Sequence, residues 1–216
     1  MKDKPNEWVS ISDLMAGVMA VVMLLLVMSI LQKTYADLKH QQELAQGGAA
    51  QKRKIDNMLN ELKTSVQQQG ATDLIIFNTN EARITLKDNI FEQGSACITP
   101  LAASALQSIQ GKIAIFLQSN PNASVIVEGH TDSLPVSRPV TDFSRFCTVY
   151  DDNFTLSAAR AREARKLLIG NLTEREAKKF IVAGYGDSQS LSGINSTDPK
   201  NRRVEVQFMM KPASSI

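Results

Sequence analysis

The chain has 216 residues, 43% of them hydrophobic and 21% charged, which is the composition of an ordinary globular protein. Its formal net charge of +2 is too small to favour nucleic-acid binding. With two cysteines, two histidines and none of the usual nucleotide-binding or hydrolase signatures, the sequence predicts no cofactor, no metal site and no enzymatic activity.

A long apolar segment lies near the N-terminus. Leu14 to Leu31 is a run of 18 residues without a charge, and a helix of that length spans about 27 Å, close to the thickness of the hydrocarbon core. A cleaved signal peptide has a shorter apolar region followed by small residues, whereas this run continues into LQKTYADLK. The sequence predicts a short tail over 1–12, with Trp8 as an interfacial anchor, and one transmembrane helix over 13–31. Lysines flank both ends, so charge alone leaves its orientation open.

One carboxylate, Asp13, stands at the start of this apolar segment. It ends the sequence SISD, which matches a helix-capping pattern, so the carboxylate can bind free amides of the first helical turn. Alternatively, it carries an ion, because ionising a carboxylate in an apolar zone is costly and such residues are usually functional. Its helical neighbours Ala16, Gly17 and Ala20 are small and would let another helix approach closely. From the residues alone, both interpretations stay open.

Residues 32–71 form a polar, helix-favouring stretch that we interpret as a stalk. Four apolar residues at spacings of 4, 3 and 4 follow one another in its second half: Ile55, Leu59, Leu62 and Val66. This spacing fits a short helical tether that pairs with a second copy, and it equally fits a single solvated helix with one apolar stripe. The Gly47–Gly48 pair predicts a break or a hinge between the two halves.

Strand and helix patterns alternate over residues 72–212. Strands are predicted at 74–77, 83–86, 124–128, 180–183 and 203–209, and helices at 100–117 and 156–168. This order predicts an α/β sandwich, a mixed sheet with helices on one face. The whole chain is thus an α+β protein with a single N-terminal transmembrane helix and a helical stalk.

Three polar clusters lie at the ends of these elements: EGHTD after a strand, NFTLSAARA at a helix start and NRR before the last strand. Their residues can simply make turns and helix caps. They can also place the carboxylate of Asp132 and the guanidinium of Arg160 at one rim of the sheet. Such a pair suits a ligand with both an ammonium and a carboxylate group, because arginine binds carboxylates through two parallel hydrogen bonds.

The motifs VEGHTDSLP, NFTLSAARA and NRRVEV resemble those of the OmpA-like peptidoglycan-binding domain, in the same order and over roughly residues 84–210. The resemblance implies that Asp132 and Arg160 grip the diaminopimelate of the wall peptide. It also implies that Asn153, Leu156 and Arg202 shape the same pocket. The long segment 133–152 departs from shorter family members.

The segment SDLMAGVMAVVMLLLVM is similar to the single span of MotB-type stator subunits, with Asp13 at the position of their ion-carrying aspartate. The resemblance implies a single-pass protein of the bacterial inner membrane, with a cytoplasmic N-terminus and a periplasmic domain. Its expected partners are a second copy of the chain and a surrounding ring of five MotA-like or ZorA-like membrane subunits. Besides Asp13, only Ser29 offers a polar side chain in the span, which favours protons over sodium ions.

Within this class the short tail and the span look most like the ZorB branch, which serves Zorya anti-phage defence. A flagellar MotB stator and a passive wall tether without ion conduction are the alternatives. From spacing alone, the two cysteines are either free thiols or one disulfide. A periplasmic location implies an oxidising space, and hence a disulfide between Cys97 and Cys147 that pins the segment 133–152.

Overall fold

The computed structural model describes residues 7–170 and 172–211, and for residues 7–13, 40 and 42–46 it describes the backbone alone. The chain divides into two compact units, which meet between Ala49 and Ala50. Helix α1 runs over Glu7–Gln68 and contributes to both units. Asp13 lies within its helical backbone, and the side chain of Asp13 lies outside the described part of the chain.

The described part of the N-terminal unit, from Glu7 onward, is helical. The stretch Leu14–Lys39 is long and apolar enough to cross a membrane, by length and composition, and its apolar side chains are exposed in the isolated chain. The predicted N-terminal apolar helix is therefore confirmed. Gly47 and Gly48 lie inside α1, so a break in the helix at this pair is wrong, whereas a hinge there stays a prediction.

The C-terminal unit contains a five-stranded mixed sheet in the order β1-β2-β5-β3-β4. The strands are β1 Ile75–Asn78, β2 Arg83–Lys87, β3 Ala123–His130, β4 Phe180–Gly184 and β5 Arg203–Met210. The helices are α2 Pro100–Ser119, α3 Phe143–Phe146, α4 Asn153–Ile169 and α5 Glu174–Ala177, with 3₁₀ turns at Asp88–Ile90 and Pro199–Asn201. Only β3 and β4 run parallel; the other neighbouring pairs are antiparallel.

The hydrophobic core lies between one face of this sheet and the helices. Alternate residues of β3 and β5 point into it, among them Val127 and Val206, because successive side chains of a strand face opposite sides. Helices α2 and α4 cover this face with buried residues such as Ile113 and Leu168. Each such side chain contributes about 1.5–3 kcal/mol through burial. The predicted fold class, a mixed sheet packed with helices, is confirmed.

The last turns of α1 belong to this core. The apolar stripe of the predicted stalk, extended by Met58, is at most 6% exposed and packs in the same cluster as the sheet and α2. Near its start, Lys54 Nζ donates to Asn120 Oδ1 over 3.3 Å. The stripe is therefore neither a surface for a second copy nor a solvated face. The compact unit begins near Ala50, about twenty residues before the predicted boundary at residue 72.

Candidate functional site

The predicted polar residues meet where β3 ends, β5 begins and α4 starts. His130, the last residue of β3, lies directly opposite Arg203, the first residue of β5, so the residues just beyond these two strand ends are neighbours. Asp152 caps α4, and its carboxylate accepts a hydrogen bond from the Thr155 amide over 2.6 Å. These local features bring the three sequence motifs to one rim of the sheet.

Four charged side chains form one connected network at this rim. Arg202 donates through Nη1 to Asp132 Oδ2 over 2.7 Å and through Nε to Asp88 Oδ2 over 2.9 Å. Arg160 Nη1 donates to the other oxygen of Asp88 over 3.2 Å. Asp132 and Arg160, expected to act together, are thus linked through Asp88 and Arg202 within the described residues. We call Asp88, Asp132, Arg160 and Arg202 the charge network.

The two arginines of the charge network lie in different environments. Arg160 is 3% exposed, donates through Nε to the Ser95 carbonyl over 3.0 Å, and stacks over the Phe91 ring at 5.1 Å. Burial lowers its pKa, and the charge of Asp88 opposes that effect. Burial also lowers the pKa of Arg202, but hydrogen bonds from its guanidinium to Asp132 and Asp88 raise it more, so its pKa lies above the usual value.

Exposure divides the charge network into two layers. The side chains of Asp88 and Arg202 are 32% and 30% exposed, whereas those of Asp132 and Arg160 are 7% and 3% exposed. Asp88 and Arg202 line a cavity of about 630 Å³, together with Ile76, Thr85 and Leu191. A ligand would therefore meet Asp88 and Arg202 first, with the other pair beneath them.

Asn153 and Leu156 support the charge network from α4. The Asn153 amide donates to the carbonyls of Asp132 and Leu134 over 3.2 and 3.0 Å, and the Leu134 amide donates to Asp132 Oδ1 over 3.3 Å. These bonds fix the turn that carries the Asp132 carboxylate. Leu156 is 8% exposed and packs at the start of the helix.

Asp88 is the residue of the charge network that sequence analysis missed. It follows β2 directly and opens the 3₁₀ turn Asp88–Ile90. The available signal was an acidic residue at a strand end, at the same rim as the other motifs. No motif contains it, and its partners Arg160 and Arg202 lie 72 and 114 residues away in the chain.

Two glycines let α4 approach the sheet at this rim. Gly129 of β3 and Gly184 of β4 are paired in the sheet, and both lie against α4. A Cβ on Gly129 would lie 1.9 Å from the Ser157 carbonyl oxygen, and one on Gly184 would lie 2.6 Å from the Ala158 Cβ. Because α4 packs closely here, Arg160, one turn further along the helix, reaches Asp88 and joins the charge network.

We expect Gly129→Ala to lower the free energy of unfolding by about 3 kcal/mol, because the added methyl group meets helix backbone rather than a movable side chain. Chemical denaturation followed by circular dichroism measures the loss. Gly111→Ala is the matched control: a Cβ on this α2 glycine meets open space, so the change should stabilise the helix by up to about 1 kcal/mol. Equal stability of Gly129→Ala and the wild type would contradict this account of the packing.

A disulfide joins Cys97 to Cys147, with an S–S distance of 2.08 Å. It ties the segment 133–152 to the stretch before α2. The Ala96 amide donates to the Phe146 carbonyl over 3.0 Å beside it, and Arg162 Nη2 donates to the Cys147 carbonyl over 3.0 Å. The carbonyl of Ser95, which Arg160 contacts, lies two residues from Cys97. The disulfide therefore supports the charge network as well as the segment.

Replacing both cysteines by serine should lower the free energy of unfolding by about 4 kcal/mol, the loop-closure value for a sequence separation of 50 residues. Denaturation of the full chain with and without reductant measures this loss. The reduced wild type should match the double variant, and the variant itself should not respond to reductant. If the unfolding midpoint of the wild type does not change when reductant is added, the prediction is contradicted.

Comparison with known proteins places these features among relatives. A sequence profile of the OmpA family matches residues 90–204. The chain is 31% identical to Motility protein B of Bacillus subtilis over 134 residues, covering 61% of this chain and 46% of that protein. It is 28% identical to the Zorya protein ZorB of Escherichia coli over 218 residues, covering 96% of this chain and 88% of that protein.

The fold also matches a solved structure. A MotB-like protein from Desulfovibrio vulgaris superimposes with a TM-score of 0.55 at 18% identity, covering 76% of this chain and 98% of that one. This match shows a shared fold. The chain spans about half the length of Motility protein B and of the LafU proteins that it also matches.

Proposed function

The chain belongs to the OmpA family, and we propose that its C-terminal unit binds cell-wall peptidoglycan and anchors the membrane segment to the wall. The observation that carries this proposal is the charge network, which holds two carboxylates and two guanidiniums beside an open cavity. The proposed role is mechanical attachment, without a chemical reaction.

The charge network suits a ligand group that carries both charges. The free end of diaminopimelate in a wall peptide has an ammonium and a carboxylate on one carbon atom. Its ammonium would contact Asp132 and Asp88, and its carboxylate would accept from Arg202 and Arg160. The four new ion pairs would replace the three existing ones, so no buried charge would lose its partner and the net charge of the site would not change.

Co-sedimentation of the full chain with purified peptidoglycan tests this proposal. Wall material with diaminopimelate should carry the protein into the pellet, whereas wall material with lysine at the same peptide position should not, because the lysine side chain ends in an ammonium alone. Equal sedimentation with both materials would show that the carboxylate is not recognised and would overturn the assignment.

The N-terminal unit supports a second part of the proposal, that the chain is the stator subunit of an ion-driven inner-membrane motor. Two copies would place their spans inside a ring of five MotA-like or ZorA-like subunits, with Asp13 taking up and releasing a proton. The N-terminus would lie in the cytoplasm and the C-terminal unit in the periplasm. Wall attachment would hold the pair fixed, so that ion flow turns the ring against a frame.

Coverage favours a ZorB-type role over a flagellar one. The similarity to ZorB extends over 96% of this chain and 88% of that protein, whereas the match to Motility protein B leaves over half of that protein uncovered. We therefore propose a role in Zorya anti-phage defence, with the flagellar stator as the second candidate. Deleting the gene in its host should raise phage plating and leave swimming unchanged; lost swimming with unchanged plating would reverse this assignment.

A further inference from the structure

We propose that Glu128, His130 and Glu205 form a site for a divalent transition metal ion such as Zn²⁺. These three side chains lie on the face of the sheet opposite the helices. One ligand atom from each falls within 4.8 Å of the others. The three residues are 9%, 1% and 4% exposed, respectively. We call them the metal triad.

The geometry of two antiparallel strands creates the metal triad. Glu128 and His130 are two residues apart on β3, so their side chains point to the same face. Glu205 lies directly opposite Glu128 on β5. The sequence alone does not indicate this site, because the third ligand lies on another strand, far along the chain from the first two. Two carboxylates and an imidazole form a ligand set that suits Zn²⁺ and its neighbours better than Mg²⁺ or Ca²⁺.

His130 supplies the independent evidence for a ligand. Both of its ring nitrogens are buried and have no hydrogen-bond partner among the described residues. One ring face stacks on Tyr185 at 5.4 Å. Leaving a buried imidazole without partners is unfavourable, and such orphaned groups are rare in folded proteins. Its Nε2 lies 3.8 Å from Glu205 Oε2, near the separation of about 3.4 Å between two ligands of one tetrahedral zinc ion.

The guanidinium of Arg83 already occupies part of the proposed metal site. Arg83 Nη1 pairs with Glu205 Oε2, the oxygen that faces His130, whereas Arg203 pairs with the other oxygen, Oε1, over 2.6 Å. A metal ion would therefore take the place of the Arg83 guanidinium. Arg203 would stay, because it is buried and also donates to the Asn201 carbonyl over 3.1 Å.

Arg83 has a second carboxylate nearby, that of Glu81. Its side chain is 26% exposed, and Nη1 lies 3.9 Å from the carboxylate of Glu81, which is itself 57% exposed. Turning toward Glu81 would free Glu205 Oε2 and keep the guanidinium paired. Glu205 also lines the cavity beside the charge network, and a metal ion would reach this carboxylate from there.

A bound metal ion would join β3 to β5 two residues before Asp132 and three residues after Arg202. It would thus stiffen the two strand ends that carry half of the charge network. This consequence for wall binding rests on the proposed function, whereas metal binding itself does not.

Calorimetric titration of the chelator-treated full chain with Zn²⁺ tests the proposal. We expect one Zn²⁺ per chain and a higher Tm in its presence, since a ligand that binds only the folded state stabilises it. Mg²⁺ should give neither effect. A wild type that binds no Zn²⁺ up to about 1 mM, the weak end of specific affinities, would overturn the proposal.

Three substitutions locate the site. His130→Asn and Glu128→Gln should each weaken Zn²⁺ binding by about tenfold or more, whereas His40→Asn, which removes the other histidine of the chain, should leave it unchanged. Arg83→Met removes the competing cation and should strengthen Zn²⁺ binding by about tenfold. This variant keeps all three metal ligands. If His40→Asn rather than His130→Asn weakens Zn²⁺ binding, or if Arg83→Met weakens it, the assignment is overturned.

Discussion

Asp132→Asn should lower the affinity of the full chain for diaminopimelate-type peptidoglycan by about 100-fold, the loss expected when one partner of a buried charge pair becomes neutral. The substitution preserves shape: the amide oxygen can still accept from the Leu134 N–H, which lies 3.3 Å from Asp132 Oδ1. What it removes is the negative charge that pairs with Arg202 and that would receive the ammonium of the ligand. Co-sedimentation over a range of peptidoglycan concentrations measures the change.

Asp73→Asn is the matched control, because it neutralises an exposed carboxylate outside the charge network. Its binding should equal that of the wild type. If both variants sediment like the wild type, Asp132 does not contact the wall peptide. If both lose binding equally, overall charge rather than the charge network governs sedimentation.

Asp13→Asn should abolish ion-driven activity while leaving membrane insertion and wall binding intact. Asparagine is a good capping residue, so a purely structural role for Asp13 would tolerate the change. It cannot bind and release a proton, so a carrier role would not tolerate it. Proton uptake into vesicles that contain the chain with its ring subunits measures the flux, and phage plating measures the outcome in cells.

Asp13→Glu serves as the control because it keeps a titratable carboxyl group on a longer side chain. We expect it to retain part of the flux, well above the level of Asp13→Asn. Full flux and full protection in Asp13→Asn would instead favour the passive wall tether, in which the carboxylate only caps a helix.

The motifs were sufficient to predict that Asp132, Arg160 and Arg202 gather at one rim of the sheet, because each motif lies at the end of a strand or the start of a helix. They could not reveal how the charges pair. Asp88 joins Arg160 to Arg202 across 72 and 114 residues, and no local spacing encodes such a contact. The metal triad could not be predicted for the same reason, because strand register rather than sequence spacing sets Glu205 opposite Glu128.

The apolar stripe of α1 shows a different limit. A spacing of 4, 3 and 4 residues marks one face of a helix, and that face looks the same whether it packs on a second copy or on its own chain. In this protein the stripe from Ile55 to Val66 packs into the core of the C-terminal unit. The apolar N-terminal helix was easier to predict, because length and an unbroken run without charges suffice.

Calorimetric titration of the full chain with a wall tetrapeptide tests whether the charge network binds the free end of diaminopimelate. We expect one binding site per chain for the peptide that contains meso-diaminopimelate. We expect the affinity to be at least about tenfold weaker for the same peptide with lysine, which lacks the carboxylate that Arg202 and Arg160 would bind. Equal affinity for the two peptides, or no binding of the diaminopimelate peptide while intact peptidoglycan still carries the chain into the pellet, would contradict this assignment.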